Sequence, residues 1–179
     1  MNGSTLTLGF VAGLAAAGAL ASVPGRRGSH AKAALPQGMR AHFLSDEDLQ
    51  PGDEARITKS YALAKKVNLG ILRDKNLRLV VQKGSKVVGA LFDSLGGDHY
   101  SFDIVVDPST QGSGVGRWLM NAGDDMAREY EDMGYPTVLE AVNPIAQAAL
   151  LRRGFTVLER GPGHAVLTRG DRGDTGWSG

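Results

Sequence analysis

Apolar and polar positions change rhythm several times along the chain, and each change marks an element. Residues 39–44 form a short strand candidate. Ser45 with acids at 46 to 48 signals a helix start that Pro51 and Gly52 interrupt, so a helix is expected from about Asp53, with Ala55, Tyr61, Ala64 and Val67 as a weak apolar stripe. Residues 77–82 and 86–95 are β-rich runs joined by Lys83-Gly84-Ser85, and Gly96-Gly97-Asp98 sets them apart from 99–106, which predicts an antiparallel meander of three strands. Val115, Leu119, Ala122, Met126, Tyr130 and Met133 then recur at helical steps, the strongest helix signal in the chain, with Gly134 as its stop. A strand at 137–141 follows. Asn143-Pro144 opens a further helix, Asn as N-cap and Pro in the first turn, and Gly154 ends it. Residues 156–160 and 165–168 are expected to pair across Gly161-Pro162-Gly163. The order βαβββαβαββ predicts an α+β (mixed α/β) domain over residues 39–169, with 170–179, including Trp177, as a tail.

Before this domain the rhythm is lost. Residues 5–23 carry no charge and, as a helix, just reach across a hydrocarbon core of roughly 30 Å. Several readings stand side by side for residues 1–38: a retained transmembrane helix, a cleaved signal peptide with Ala19-Leu20-Ala21 as its cleavage site, an organellar transit peptide, and an unstructured Ala/Gly leader. The retained helix is taken first, because Gly9 with Gly13 and Ala12 with Ala16 provide a close-packing face. Arg26, Arg27 and Lys32 follow the span, which would place the domain on the cytoplasmic, stromal or matrix side of a membrane. Residues 24–38, rich in Pro, Gly and basic residues, read as a linker.

Composition narrows the chemistry. Twenty Lys and Arg stand against nineteen Asp and Glu in 179 residues, a net charge of +1, so no field favours nucleic acid as a partner. The first 45 residues hold Arg26, Arg27, Lys32 and Arg40 and no acid, giving +4, which leaves the remainder at −3. The absence of cysteine excludes disulfides, thiolate metal sites and a cysteine nucleophile. The four histidines form no metal-binding pattern, and no metal is expected.

The chemical signal is Val106-Asp107-Pro108-Ser109-Thr110-Gln111-Gly112-Ser113-Gly114-Val115-Gly116, which leaves a strand and opens the best helix. Glycines let backbone amides approach an anion, and a helix N-terminus adds unsatisfied N–H groups with partial positive charge. Arg117 can add a charge-assisted bond. A glycine-rich connection that serves only a tight turn is the plain alternative. No Gly-Lys-Ser/Thr follows, and Arg117 occupies the place of a dinucleotide fingerprint's third glycine, so ATP and NAD are disfavoured.

The segment resembles motif A of the GNAT superfamily of acyl-CoA-dependent N-acyltransferases, V-x-P-x-x-Q/R-G-x-G-x-G/A, and matches it at every specified position. Downstream, Leu139-Glu140-Ala141, Asn143-Pro144, Ala146, Leu150 and Gly154-Phe155 resemble the family's fifth strand, following helix and Gly-Phe end. The resemblance implies a mostly antiparallel central sheet splayed between strands four and five, with acetyl-CoA as co-substrate and an amine as acceptor. It places the pyrophosphate on residues 111 to 116 (Gln111, Gly112, Ser113, Gly114, Val115, Gly116), with Arg117 and Asn143 nearby and the pantetheine beside Val105 and Val106. The backbone amide near Val106 would stabilise the oxyanion. Many relatives carry a Tyr four residues before the Gly-Phe to protonate the thiolate; this chain has Leu150. For the base the sequence offers Glu140, Asp103, Tyr100 and His99, Glu140 and Asp103 being taken as the catalytic candidates. Two functions remain open: an acetyl-CoA-dependent N-acetyltransferase, tethered to a membrane or targeted to an organelle, and a degenerate family member serving as an accessory subunit of a membrane protein complex.

Overall fold

The computed structural model describes residues 34–44, 49–67 and 75–170. Within them the chain runs β1 (Met39–Phe43), α1 (Asp53–Lys66), β2 (Asn76–Lys83), β3 (Lys86–Gly96), β4 (His99–Val106), a 3-10 turn (Pro108–Thr110), α2 (Val115–Asp132), β5 (Thr137–Ala141), α3 (Pro144–Leu151), β6 (Thr156–Gly161) and β7 (His164–Arg169). This is the order read from the sequence, with the 3-10 turn added. The candidate span at 5–23 and the tail from 171 lie outside the described residues. Among the described residues no helix is long and apolar enough to cross a membrane.

The strands form one seven-stranded sheet in the order β1-β2-β3-β4-β5-β7-β6. All neighbours are antiparallel except β4 and β5. Those two run parallel and pair at one place, Tyr100 opposite Thr137, beyond which they part. The sheet is therefore two antiparallel blocks, β1–β4 and β5-β7-β6, joined at a seam.

Helix α2 covers the seam on one face. Val115, Trp118, Leu119, Ala122, Gly123 and Ala127 are its buried positions, and they pack with Leu79, Leu91, Phe102, Leu139 and Leu167 in the larger core cluster. Burying each large apolar side chain there contributes about 1.5–3 kcal/mol. Gly123 is needed for the close approach: a Cβ at this position would clash with the edge of the Phe102 ring. The predicted stripe holds through Val115, Leu119 and Ala122; Met126 and Tyr130 are half-buried, and Met133 is 49% exposed because it caps the helix where the chain turns away. Trp118 joins the buried face one helical step beyond Val115.

Helix α1 covers the other face, against Val80, Val87, Phe92 and Val105. The predicted stripe holds at Ala64 and Val67 and in part at Tyr61, which is 40% exposed but rests its ring on Phe92 with centroids 5.2 Å apart. Ser60 and Leu63 are buried as well and Ile57 packs beside them, whereas Ala55 is exposed. With few large apolar residues the helix has no sharp stripe, so the contacts offered by the sheet decide its rotation. Ahead of β1, Leu35 packs on the core and the Pro36 carbonyl accepts the amide of Met39.

Buried charge fixes the closed end of the seam. Arg169 on β7 pairs with both Asp124 and Glu131 of α2, and the Glu131 carboxylate also accepts the Thr137 hydroxyl at 2.7 Å. Strand β7, helix α2 and the start of β5 thus share one network. Tyr100 stacks on Tyr130 with ring centroids 4.2 Å apart and donates its hydroxyl to Asp93 at 3.3 Å, completing that end from the β4 side.

Candidate active site

Beyond Tyr100 and Thr137 the two strands diverge into a cleft of about 990 Å³. Tyr100 donates its amide to Pro136 across the seam, while Asp107 donates its amide to Val88 of β3. Amides alternate between the two edges of a strand, so those of Phe102, Ile104 and Val106 point toward β5, where the strand has already left. The Val106 amide faces the opening, as an oxyanion donor requires.

Side chains from both faces of the sheet line this cleft. On the α2 and α3 side stand Gly116, Arg117, Met120, Ile145, Ala146, Ala149, Arg152 and Arg153; on the other stand Lys75, Asp103, Val138 and Glu140. The helical side is cationic. Arg153 is committed to the Ala149 carbonyl and to Asn121, whereas Arg117 and Arg152 have no ion pair among the described residues. The opening therefore passes through the sheet, with a basic entrance on one face and carboxylates on the other.

The glycine-rich segment lies at the open end of β4. Gly112 and Gly114 adopt left-handed conformations, φ +80° and +95°, that a side chain would strain. Within the segment the amides of Gln111 and Ser113 already donate to Pro108 and Thr110, and the first bond of α2 runs from Trp118 to Gly114. The amides of Gly112, Gly114, Val115, Gly116 and Arg117 have no backbone acceptor among the described residues, which suits an anion at the N-terminus of an 18-residue helix. Of the positions read from sequence, Gln111 and Ser113 thus have their amides spent within the turn, and the Ser113 hydroxyl also donates to Thr110 at 2.6 Å. Asn143 caps α3, its Oδ1 accepting the Ala146 amide at 2.8 Å, and it lines the cleft. The side chain of Val105 is 2% exposed and belongs to the α1 core, while Val106 packs toward α2. The β4 residues that line the cleft are Phe102, Asp103 and Ile104.

The four base candidates separate clearly. Glu140 is exposed in the cleft and has no ion pair among the described residues. Asp103 is bound to Lys75 at 2.8 Å. Tyr100 is fully buried, and burial pushes its hydroxyl far above the ordinary tyrosine range, with the Asp93 charge adding to the effect. His99 sits in the β3–β4 turn at the closed end, bonded to Asp98 at 2.7 Å and outside the cleft lining. Tyr100 and His99 are therefore not placed to act as bases. Leu150, where many relatives have a Tyr, is 3% exposed between the core and the cleft and brings no proton donor. Lys75, Met120, Arg152 and Arg153 escaped the sequence reading; only the Arg152-Arg153 pair ending α3 had a sequence signal. No group of three or more His, Asp or Glu is arranged to hold a metal among the described residues.

Comparison with known proteins places this geometry. The family described as "Acetyltransferase (GNAT) domain" matches residues 74–157. Among solved structures, ElaA of Escherichia coli is 15% identical, covering 73% of this chain and 99% of its own, with a TM-score of 0.55. Ard1 from Thermoplasma volcanium is 17% identical over 74% of this chain and 97% of its own, TM-score 0.54. An acyl-CoA N-acyltransferase from Pseudomonas aeruginosa is 15% identical over 73% and 99%, TM-score 0.54. These likenesses are of fold. No curated protein sequence matches the chain. The motif and the split sheet agree with that match: residues 74–157 carry a domain of the GNAT acetyltransferase type.

Proposed function

We propose that the protein transfers an acetyl group from acetyl-CoA to an amine by direct attack in a ternary complex. The observation that carries the reading is the seam: one strand pair closes the cleft at its base, while the free loop amides and the unpaired edge of β4 stand along its open side. The residues fit an acyl-CoA. The amides of Gly112, Gly114, Val115 and Gly116 would hold the pyrophosphate, Arg117 would add charge, and Ile104, Met120 and Ala146 would flank the pantetheine.

The cleft's two faces divide the labour. The acyl donor would enter from the basic α2–α3 side and the amine from the side of Glu140 and Asp103. The Val106 amide would stabilise the negative charge that develops on the thioester oxygen. Glu140, the cleft carboxylate without an ion pair among the described residues, would take the amine proton through a water as the new C–N bond forms and the C–S bond breaks. With Leu150 in the leaving-group position, solvent water protonates the thiolate.

Thermal unfolding of the full chain with acetyl-CoA, paired with thiol release over a panel of amines, tests the reading. Ligand at 100 times its Kd stabilises a native state by about 2.7 kcal/mol. That stabilisation should appear in the parent and vanish in Gly114→Trp, and at least one amine should release thiol. A shift without release for any amine would favour the second reading, a catalytically degenerate subunit, for which the buried Leu150 is the supporting observation. No shift would remove the donor assignment.

A further inference from the structure

The loop that would receive the diphosphate begins at a buried carboxylate, an unexpected charge to find beneath an anion site. Asp107 is 3% exposed, and each of its polar atoms is engaged. Its Oδ1 accepts the Ser109 amide at 2.8 Å and the Ser109 hydroxyl at 2.6 Å, its carbonyl accepts the Thr110 amide at 2.8 Å, and its own amide binds Val88. Its Oδ2 faces two ammonium groups, Lys86 Nζ at 3.1 Å and Lys66 Nζ at 3.8 Å. Lys86, the first residue of β3, also donates to the Ser109 hydroxyl at 3.0 Å, and Lys66 is the last residue of α1. Three separate elements meet at this one side chain.

Two opposing effects follow. The carboxylate shapes the turn that leads into the free amides, as an Asx acceptor does. Its charge, left alone, would repel the same diphosphate that those amides attract. Two lysines against one acid reverse the sign of the local charge.

We propose that Asp107, Lys86 and Lys66 form a charge-compensated brace: Asp107 is a positioning residue that sets the loop's shape, and the lysines cancel its repulsion, so that the brace tunes affinity for the anionic acyl donor. This rests on the acyl-CoA reading above.

A double-mutant cycle on the full chain, read by calorimetric titration with acetyl-CoA, tests it. Lys86→Met exposes the carboxylate and should raise Kd about fivefold. Asp107→Asn retains an oxygen acceptor for Ser109 while removing the charge, and should leave Kd at or below the parent value. In the Lys86→Met/Asp107→Asn double variant most of the loss should be recovered, a rescue that a purely structural role would not give. Since Lys86 is more than half exposed, its variant should fold normally. An unchanged Kd in Lys86→Met, or a double variant no better than Lys86→Met alone, would overturn the inference and leave the donor reading intact. A parent that binds no acetyl-CoA would overturn both.

Discussion

Asp103 and Glu140 stand at the same level on two parallel strands, each three residues past the pair Tyr100–Thr137 that closes the seam. Tyr100 and Thr137 both turn to α2, one stacking on Tyr130 and the other bonding Glu131, so the two carboxylates share the opposite face. Their surroundings differ: Asp103 is held by Lys75 at 2.8 Å, and Glu140 is open to the cleft. Glu140→Gln is expected to lower kcat by about a hundredfold with little change in the KM for acetyl-CoA. Asp103→Asn should cost tenfold or less. Steady-state rates check both, and a normal kcat for Glu140→Gln would end its assignment as base.

The Arg169 network should dominate stability at the closed end of the seam. Arg169→Met leaves Asp124 and Glu131, whose side chains are about 15% exposed, without their shared cation. A loss of about 3 kcal/mol is expected. Urea unfolding measures it, and a loss below about 1 kcal/mol would show that water had replaced the guanidinium.

At Gly123 the constraint is steric. An alanine methyl group would have to displace Phe102 from beneath α2, at a cost of about 1–3 kcal/mol. Alanine would otherwise favour a helix interior by up to about 1 kcal/mol over glycine. A stabilised Gly123→Ala protein would mean that Phe102 moves freely.

Acid should reveal Asp107. The Ser109 hydroxyl and amide and the Lys86 ammonium hold its carboxyl well below the usual carboxylate range. Its ionised form therefore stabilises the fold fully above the unfolded value of about 4, and the contribution drains away as pH falls below that. The stability gap between the parent and Asp107→Asn should narrow between pH 5 and pH 2 in urea melts. A constant gap would show that the charge is not what stabilises.

How far the sequence carried this reading depends on how local each signal was. Element order, the Asn143 cap and the Gly134 stop depend on neighbours in sequence, and all were legible. The burial of Ser60 and the exposure of Ala55 on α1 were not, because their reasons lie in the facing sheet. The glycine run could be read as an anion site, yet which amides remain free depends on the 3-10 turn and the turn after it, which consume those of Gln111 and Ser113. Tyr100 and Glu140 are both polar residues on strands; only the parting of β4 from β5 shows that one is sealed and the other open. Lys75 had no sequence signal at all, since its partner Asp103 is 28 residues away.

Helix α2 touches both sides of the divided sheet, packing on β3 and β4 and also on β5. It acts as a splint across a fracture, and its N-terminal end is the same turn that offers free amides to an anion. Whatever occupies that turn therefore meets the end of the splint itself, while Arg169 holds the far end through Asp124 and Glu131.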